Sequence, residues 1–198
     1  YNCEIINIEE KYVDTKILKE LKEEKNNILV DIYQGIPKSD KMELIIQKSV
    51  ELGVNAIIPV AMKRCVAKIE PKDENKKIER WQKISESAAK QSGRTIIPEV
   101  RKIVTIQDIA KLTEQYDSVI VAYENEKQNT IKKELLKLKN KEQVKIAVVI
   151  GPEGGLEDND VKLLKEVGAN IVTLGNRILR TETVALNILS VIMYELQI

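Results

Sequence analysis

Two glycine-bearing loops carry the residue patterns with the most chemical content in this chain. The first, Gly151-Pro152-Glu153-Gly154-Gly155, directly follows the apolar run 144–150, so a strand feeds a tight loop. In open α/β sheets ligands bind at the carboxyl edge, where such loops lie. The second, Gly175-Asn176-Arg177-Ile178-Leu179-Arg180-Thr181-Glu182-Thr183, follows the run 171–174 and leads into a helix. Neither has the spacing of GxGxxG or GxxxxGK, so neither a dinucleotide fingerprint nor a P-loop is present. Glu157, Asp158 and Asp160 open the helix after the first loop. Acids there suit the helix dipole but repel phosphate, which counts against a pyrophosphate and hence against a nicotinamide oxidoreductase. The loop is left open to a ligand that is uncharged or cationic at that end. After the second loop, Thr181 or Thr183 can serve as the helix N-cap. Arg180 places a cation at the positive end of that helix, so something anionic is expected to face it.

The remaining chemistry must work without imidazole. No histidine occurs in the 198 residues, which removes Ser-His-Asp and Cys-His nucleophiles and nearly every zinc site. Cys3 and Cys65 have no partner at metal-ligand spacing, so neither a metal site nor a redox pair is expected. Two reduced thiols and the lack of a charged, apolar leader point to a cytoplasmic protein. The longest apolar stretch, 184–193, is broken by Asn187 and Ser190 and falls short of the roughly 20 residues that span a bilayer, so no membrane association is expected.

Charge is uneven although the net is only +1. Residues 1–60 hold 8 basic and 11 acidic side chains, 61–102 hold 12 and 6, and 103–198 hold 12 and 14. The basic middle block points to a polyanionic partner. On a helix over 73–92, at about 100° per residue, Lys76, Arg80, Lys83, Ser87, Lys90 and Arg94 fall within roughly 80° of one another. Ile78, Trp81, Ile84 and Ala88 cover the other side. Glu79 and Glu86 lie off the cationic stripe, which therefore reads either as a solvated face or as an RNA-phosphate contact.

These residues must be positioned by a parallel α/β sheet. At 43% hydrophobic and 32% charged, the chain suffices for one ordinary domain, or one domain and a fragment of another. Strands are expected at 28–33, 56–60, 118–122, 144–150 and 170–174, the last three carried by apolar runs as if covered on both faces. Helices fit 40–52, 73–92, 106–114, 130–139, 158–167 and 181 onward, with Asp40 and Glu43 at capping-box spacing. The last helix is apolar on nearly all sides, and a closed two-fold dimer is the simplest cover for it. Extended pieces at 3–8 and 12–18, followed by a polar stretch, look like the end of a small β domain whose remainder is expected to precede Tyr1.

Taken in order, Gly35-Ile36-Pro37-Lys38, Lys41-Met42-Glu43, Gln47-Lys48, Glu51-Leu52-Gly53-Val54, Arg80-Trp81, Gln91-Ser92-Gly93-Arg94, Pro98-Glu99-Val100, IGPEGG and LGNRILRTETVAL resemble the bacterial 16S rRNA uridine-N3 methyltransferases of the SPOUT superfamily. The resemblance covers residues 28–198 without a break. It implies an α/β fold with a C-terminal trefoil knot over 26–198, preceded over 1–25 by a remnant of a PUA-like β-barrel. It implies S-adenosylmethionine as methyl donor, held around Glu124, Gly151, Glu153, Gly155, Leu174, Arg177, Ile178 and Leu179, with a dimer partner closing the site. The implied substrate is a uridine near the decoding centre, in 16S rRNA or in the assembled small subunit. Such chemistry needs alignment of an in-line transfer and removal of a weakly acidic imide proton. Arg94 or Arg180 is expected to stabilise charge on a uracil oxygen, and Glu182 is the candidate base, although helix capping would also explain it. Arg94 could equally be one more phosphate contact beside Lys76, Arg80, Lys83 and Lys90. Ribose 2′-O methylation within the same superfamily and a non-catalytic RNA-binding module are the alternatives.

Overall fold

Along 144–150 the side chains of Val144, Ile146, Val148 and Ile150 enter one hydrophobic cluster, while Ala147 and Val149 enter a second on the opposite face. Every one of them is buried, as a strand covered on both faces requires. The computed structural model describes residues 1–21 and 26–197. The main sheet has six parallel strands: β3 (Ile28–Gly35), β4 (Ala56–Val60), β5 (Glu99–Val100), β6 (Ser118–Ala122), β7 (Val144–Ile150) and β8 (Asn170–Val172). Their order across the sheet is β5-β4-β3-β7-β6-β8. The short β5 was not expected from the sequence, because two residues carry no periodicity.

One face is covered by α1 (Lys41–Glu51), α2 (Pro71–Gln91), α4 (Ile131–Leu136) and α6 (Thr181–Gln197), and the other by α3 (Ile106–Leu112) and α5 (Asp158–Glu166). In α6 the residues Ala185, Ile188, Leu189 and Ile192 form the buried stripe, each of the larger ones contributing about 2 kcal/mol. The other apolar residues of α6 are half-buried on neighbouring elements, and only Tyr194, 70% exposed, is an uncovered large side chain among the described residues. In α2, Trp81 and Ala88 are buried and Ile78 and Ile84 half-buried, with Ser85 donating to the Pro98 carbonyl at 2.6 Å.

The capping box expected at Asp40 and Glu43 does not form: the Asp40 side chain makes no cap. Glu43 instead pairs with Arg80 at 2.6 Å, because α2 packs beside α1 and offers a guanidinium within reach. A complete capping box stands at Thr105 and Asp108, before α3.

β1 (Asn2–Ile8) and β2 (Val13–Lys19) form a separate antiparallel hairpin that pairs with no other strand. All of its residues are exposed, apolar Ile5, Ile6, Ile8 and Ile17 included. The boundary expected after residue 25 falls on residues outside the described ones.

Candidate active site

The chain leaves β3 and β7 in opposite directions. From β3 it passes through α1 to β4, and from β7 through α5, on the other face, to β8. The gap between two such strand ends is where open α/β sheets take ligands. Gly35 ends β3 there, and a Cβ on it would lie 2.6 Å from both the nitrogen and Cδ of Pro152. Only a residue without a side chain lets the loop after β7 come this close.

A cavity of about 440 Å³ opens at this edge, within the range of roughly 300–1,000 Å³ usual for small-molecule sites. Its walls are residues 122–124 with Lys127 after β6, 150–156 after β7, 173–181 after β8, and Lys41 and Val184 from α1 and α6. The Gly151–Gly155 turn is closed by the Gly155 N–H donating to the Pro152 carbonyl at 2.9 Å. Gly155 has φ +71°, and a Cβ there would meet the Glu124 carboxylate at 2.6 Å. A Cβ on Gly151 would meet the Gly155 backbone carbon at 2.9 Å.

The two glycine loops are tied by a relay. The Gln34 amide donates to the Thr181 hydroxyl at 2.8 Å, and that hydroxyl donates to the Gly151 carbonyl at 2.7 Å. Thr181 is therefore not the N-cap of α6: its hydroxyl is spent across the site, and the Arg180 carbonyl accepts the first helical N–H groups, those of Thr183 and Val184. Replacing Thr181 with Val keeps the shape but leaves the half-buried Gly151 carbonyl without this donor and takes from the Gln34 amide one of its two acceptors, the other being the Gly35 carbonyl. We expect this to cost about 1–3 kcal/mol in urea denaturation. An unchanged midpoint would mean that the relay holds nothing.

Charge at the cavity centres on Lys41. Its Nζ lies 3.1 Å from Glu153 Oε1 and 3.2 Å from Glu182 Oε2. The Lys38 backbone N–H also donates to Glu153, at 3.1 Å to one oxygen and 3.3 Å to the other. Contact with Glu153 is the main reason the Lys41 ammonium is held above its usual value; desolvation opposes it and Glu182 adds to it. Desolvation pushes the Glu153 carboxyl up, but its own backbone N–H, Lys41 and Lys38 together carry it below its usual value. A depressed carboxylate stabilises the fold above its ordinary value of 4.5 and loses this as pH falls, whereas a raised lysine does so below 10.5 and loses it as pH rises. The bridge is thus intact across neutral pH.

The sequence model of the RNA methyltransferase domain family matches residues 23–193. The ribosomal RNA small subunit methyltransferase E of Bacillus subtilis (strain 168) is 37% identical over 199 residues, covering 99% of this chain and 78% of that protein. This chain belongs to the ribosomal RNA small subunit methyltransferase E family. The crystal structure of the enzyme of that name from Neisseria gonorrhoeae, bound to S-adenosyl methionine, matches with a TM-score of 0.80 at 32% identity, over 97% of this chain and 77% of that one. A SpoU methyltransferase from Streptomyces viridochromogenes shares the fold alone, with a TM-score of 0.50 at 13% identity over 83% of this chain and 58% of that one. The parallel α/β sheet is thus one that these solved methyltransferases share.

In this member of the methyltransferase E family, the cavity wall gathers Glu124, Gly151, Glu153, Gly155, Leu174, Arg177, Ile178 and Leu179 from three separate loops. Arg180 also lines it; the side chains of Arg177 and Arg180 are exposed and make no ion pair among the described residues. Glu182 is not on the wall itself but touches Lys41, which is. Arg94 is not brought to the cavity. It donates to the carbonyls of Val50 at 3.0 Å and Val54 at 2.7 Å, capping the far end of α1 at the opposite edge of the sheet. Burial there lowers its pKa. Lys76, Lys83 and Lys90 are exposed along α2, while Arg80 of the same stripe is held by Glu43.

Lys41 and Gln34 are the residues that sequence reasoning missed. Lys41 carried a usable signal: like Arg180, it is a cation at the start of a helix, where the dipole disfavours it. Gln34 carried none, since nothing local distinguishes it within β3.

Proposed function

We propose that this chain transfers a methyl group from S-adenosylmethionine to N3 of a uridine in small-subunit rRNA, near the decoding centre. One observation carries this: a single cavity at the β3/β7 switch point gathers all eight residues that the family resemblance assigns to the donor. The residues suit that ligand. Gly155 leaves the space beside Glu124 open, and Glu124 offers a carboxylate to a cationic molecule. When bound, S-adenosylmethionine supplies an electrophilic methyl carbon, whose bond to sulfur breaks with the electron pair staying on sulfur as nitrogen bonds to it.

The chain's own work is binding, orientation and proton removal. Backbone groups of 151–155 and 174–179 hold the donor. Arg180, exposed and without an ion pair among the described residues, faces the charge that develops on a uracil oxygen. Glu182 accepts the N3 proton. Arg94, whose guanidinium is held by the Val50 and Val54 carbonyls, is given the role of fastening the end of α1 in place of the catalytic one.

The finer architecture follows the same proposal. α6 returns from beyond the edge strand β8 to lie against α1 and β3, a path that supports a trefoil knot. Residues 1–25 are taken as part of a PUA-like β domain and 26–198 as the methyltransferase domain, supported by the separate hairpin. A cytoplasmic homodimer acting on 16S rRNA or the assembled subunit completes the proposal; among the described residues no helix is long and apolar enough to cross a membrane.

Calorimetric titration with S-adenosylmethionine tests the site, and mapping the methylated atom on an rRNA fragment tests the reaction. Saturable binding of one donor per chain, lost in Gly155→Val, is expected, and product carrying its methyl on a ribose 2′-oxygen would overturn the N3 assignment. Converting Lys76, Lys83 and Lys90 together to Gln is expected to lower the slope of log affinity against log salt by about 2 for single-stranded rRNA. An unchanged slope would return α2 to a merely solvated face.

A further inference from the structure

We propose that Lys41 is a positioning residue for Glu182, holding one of its oxygens so that the other is presented as proton acceptor. The inference deepens the function proposed above and rests on it.

The two carboxylate oxygens of Glu182 differ. Oε2 is buried, makes no hydrogen bond, and has the Lys41 ammonium 3.2 Å away as its partner. At that distance the two form an ion pair whose geometry falls short of a hydrogen bond. Oε1 is not sealed in this way and accepts no hydrogen bond among the described residues; the side chain is 16% exposed. One oxygen is pinned and the other remains open. A buried carboxylate oxygen without a partner is costly, so without Lys41 the side chain would turn Oε2 toward water and Oε1 would lose its direction.

Lys41 is also the cation suited to this task. Of the others on the wall, Lys127 donates to the Glu124 carbonyl at 2.7 Å, and Arg177 and Arg180 are exposed and pair with no acid among the described residues. Lys41 occupies the first residue of α1, against the helix dipole, an unfavourable place that two carboxylates offset. Its second partner, Glu153, belongs to the loop after β7. The Glu153–Lys41–Glu182 bridge therefore joins the donor loop to the first turn of α6, and the acceptor is aligned when that loop is in place. Lys41 makes and breaks no bond. The N3 proton passes to Glu182 Oε1, and the electron pair of the N–H bond stays on nitrogen for the methyl carbon.

The test compares Lys41→Met, Lys41→Arg, Glu182→Gln and the double variant K41M/E182Q. Rates are measured on a small-subunit rRNA fragment at saturating donor, and donor Kd by calorimetry. Lys41→Met is expected to lower kcat about 100-fold, the usual cost of misplacing a reacting group by an ångström, while donor Kd changes by less than about tenfold. Lys41→Arg should recover most of the rate. The double variant should be no slower than Glu182→Gln alone, since Lys41 acts only through Glu182. If Lys41→Met folds poorly, Lys41→Gln is read per donor-competent site from the calorimetric stoichiometry. Full activity in Glu182→Gln would remove the proton-acceptor assignment and the Lys41 role with it. An inactive Glu182→Gln beside a Lys41→Met variant of unchanged kcat, or additive losses in the double variant, would overturn the Lys41 role alone.

Discussion

Gly35→Ala is expected to weaken S-adenosylmethionine binding at least 100-fold while leaving the sheet folded. Gly35 is not among the positive-φ residues, so alanine suits its backbone, and the whole penalty lies in what its Cβ meets. That atom would stand 2.6 Å from the Pro152 nitrogen and Cδ and 2.9 Å from Met62 Sδ. A methionine can turn aside, but a proline ring and a backbone nitrogen cannot. Relief requires moving the loop after β7 by about 1 Å, the order of displacement that costs roughly 100-fold in a positioned site. The same movement pulls the Gly151 carbonyl off the Thr181 hydroxyl, now 2.7 Å away, and Glu153 off Lys41. Calorimetric titration beside a thermal melt checks this. Wild-type affinity in a folded Gly35→Ala protein would mean that the cavity at the β3/β7 switch is not the donor site.

Asp31→Ala should produce a large loss of stability at a site away from that cavity. Asp31 is fully buried in β3, where its strand neighbours are Ala56 and Ala147, small enough to leave room for a polar cluster. Its carboxylate accepts from Asn55 at 2.6 Å, from the Tyr116 hydroxyl at 2.8 Å and from Arg101 at 3.4 Å. Tyr33 and Tyr116 share a further hydroxyl bond of 2.8 Å. Burial first, and then Tyr33 and Asp31, push the Tyr116 phenol far above its usual value, so it remains a donor at any physiological pH. Removing the acid strands these donors. Because Arg101 is 40% exposed and regains water, we expect about 3 kcal/mol, the low end for breaking a buried pair. Asp31→Asn, which keeps one acceptor oxygen, should lose less. Urea denaturation of both variants decides it, and a loss below about 1 kcal/mol for Asp31→Ala would show that water replaces the carboxylate.

Legibility in the sequence followed the range of the forces involved. The strands at 56–60, 118–122 and 144–150 lie where their apolar runs put them, because burial on both faces writes itself into every residue. The glycine loops stood out for a similar reason, since close backbone approach tolerates few residue types. Helix ends were less legible. The Asp40–Glu43 spacing fitted a local cap, yet Arg80 on another helix offered Glu43 a stronger, charged partner. α4 spans 131–136 rather than the expected 130–139. Arg94 looked continuous with the cationic stripe, but it lies beyond the end of α2, and its guanidinium is drawn to the carbonyls at the end of α1.

The sequence by itself determined an α/β sheet, two glycine loops at its carboxyl edge, a chemistry without histidine and a basic helix, since each is written in local composition or short-range periodicity. The tertiary structure alone decided that Gly35 admits Pro152, that Gln34 and Thr181 meet across 147 residues, and that Lys38 and Glu153 do so across 115. Those pairings depend on which strands become neighbours and on where α6 returns across the sheet. No local pattern records either, because each partner satisfies its own surroundings equally well until the chain brings the other beside it.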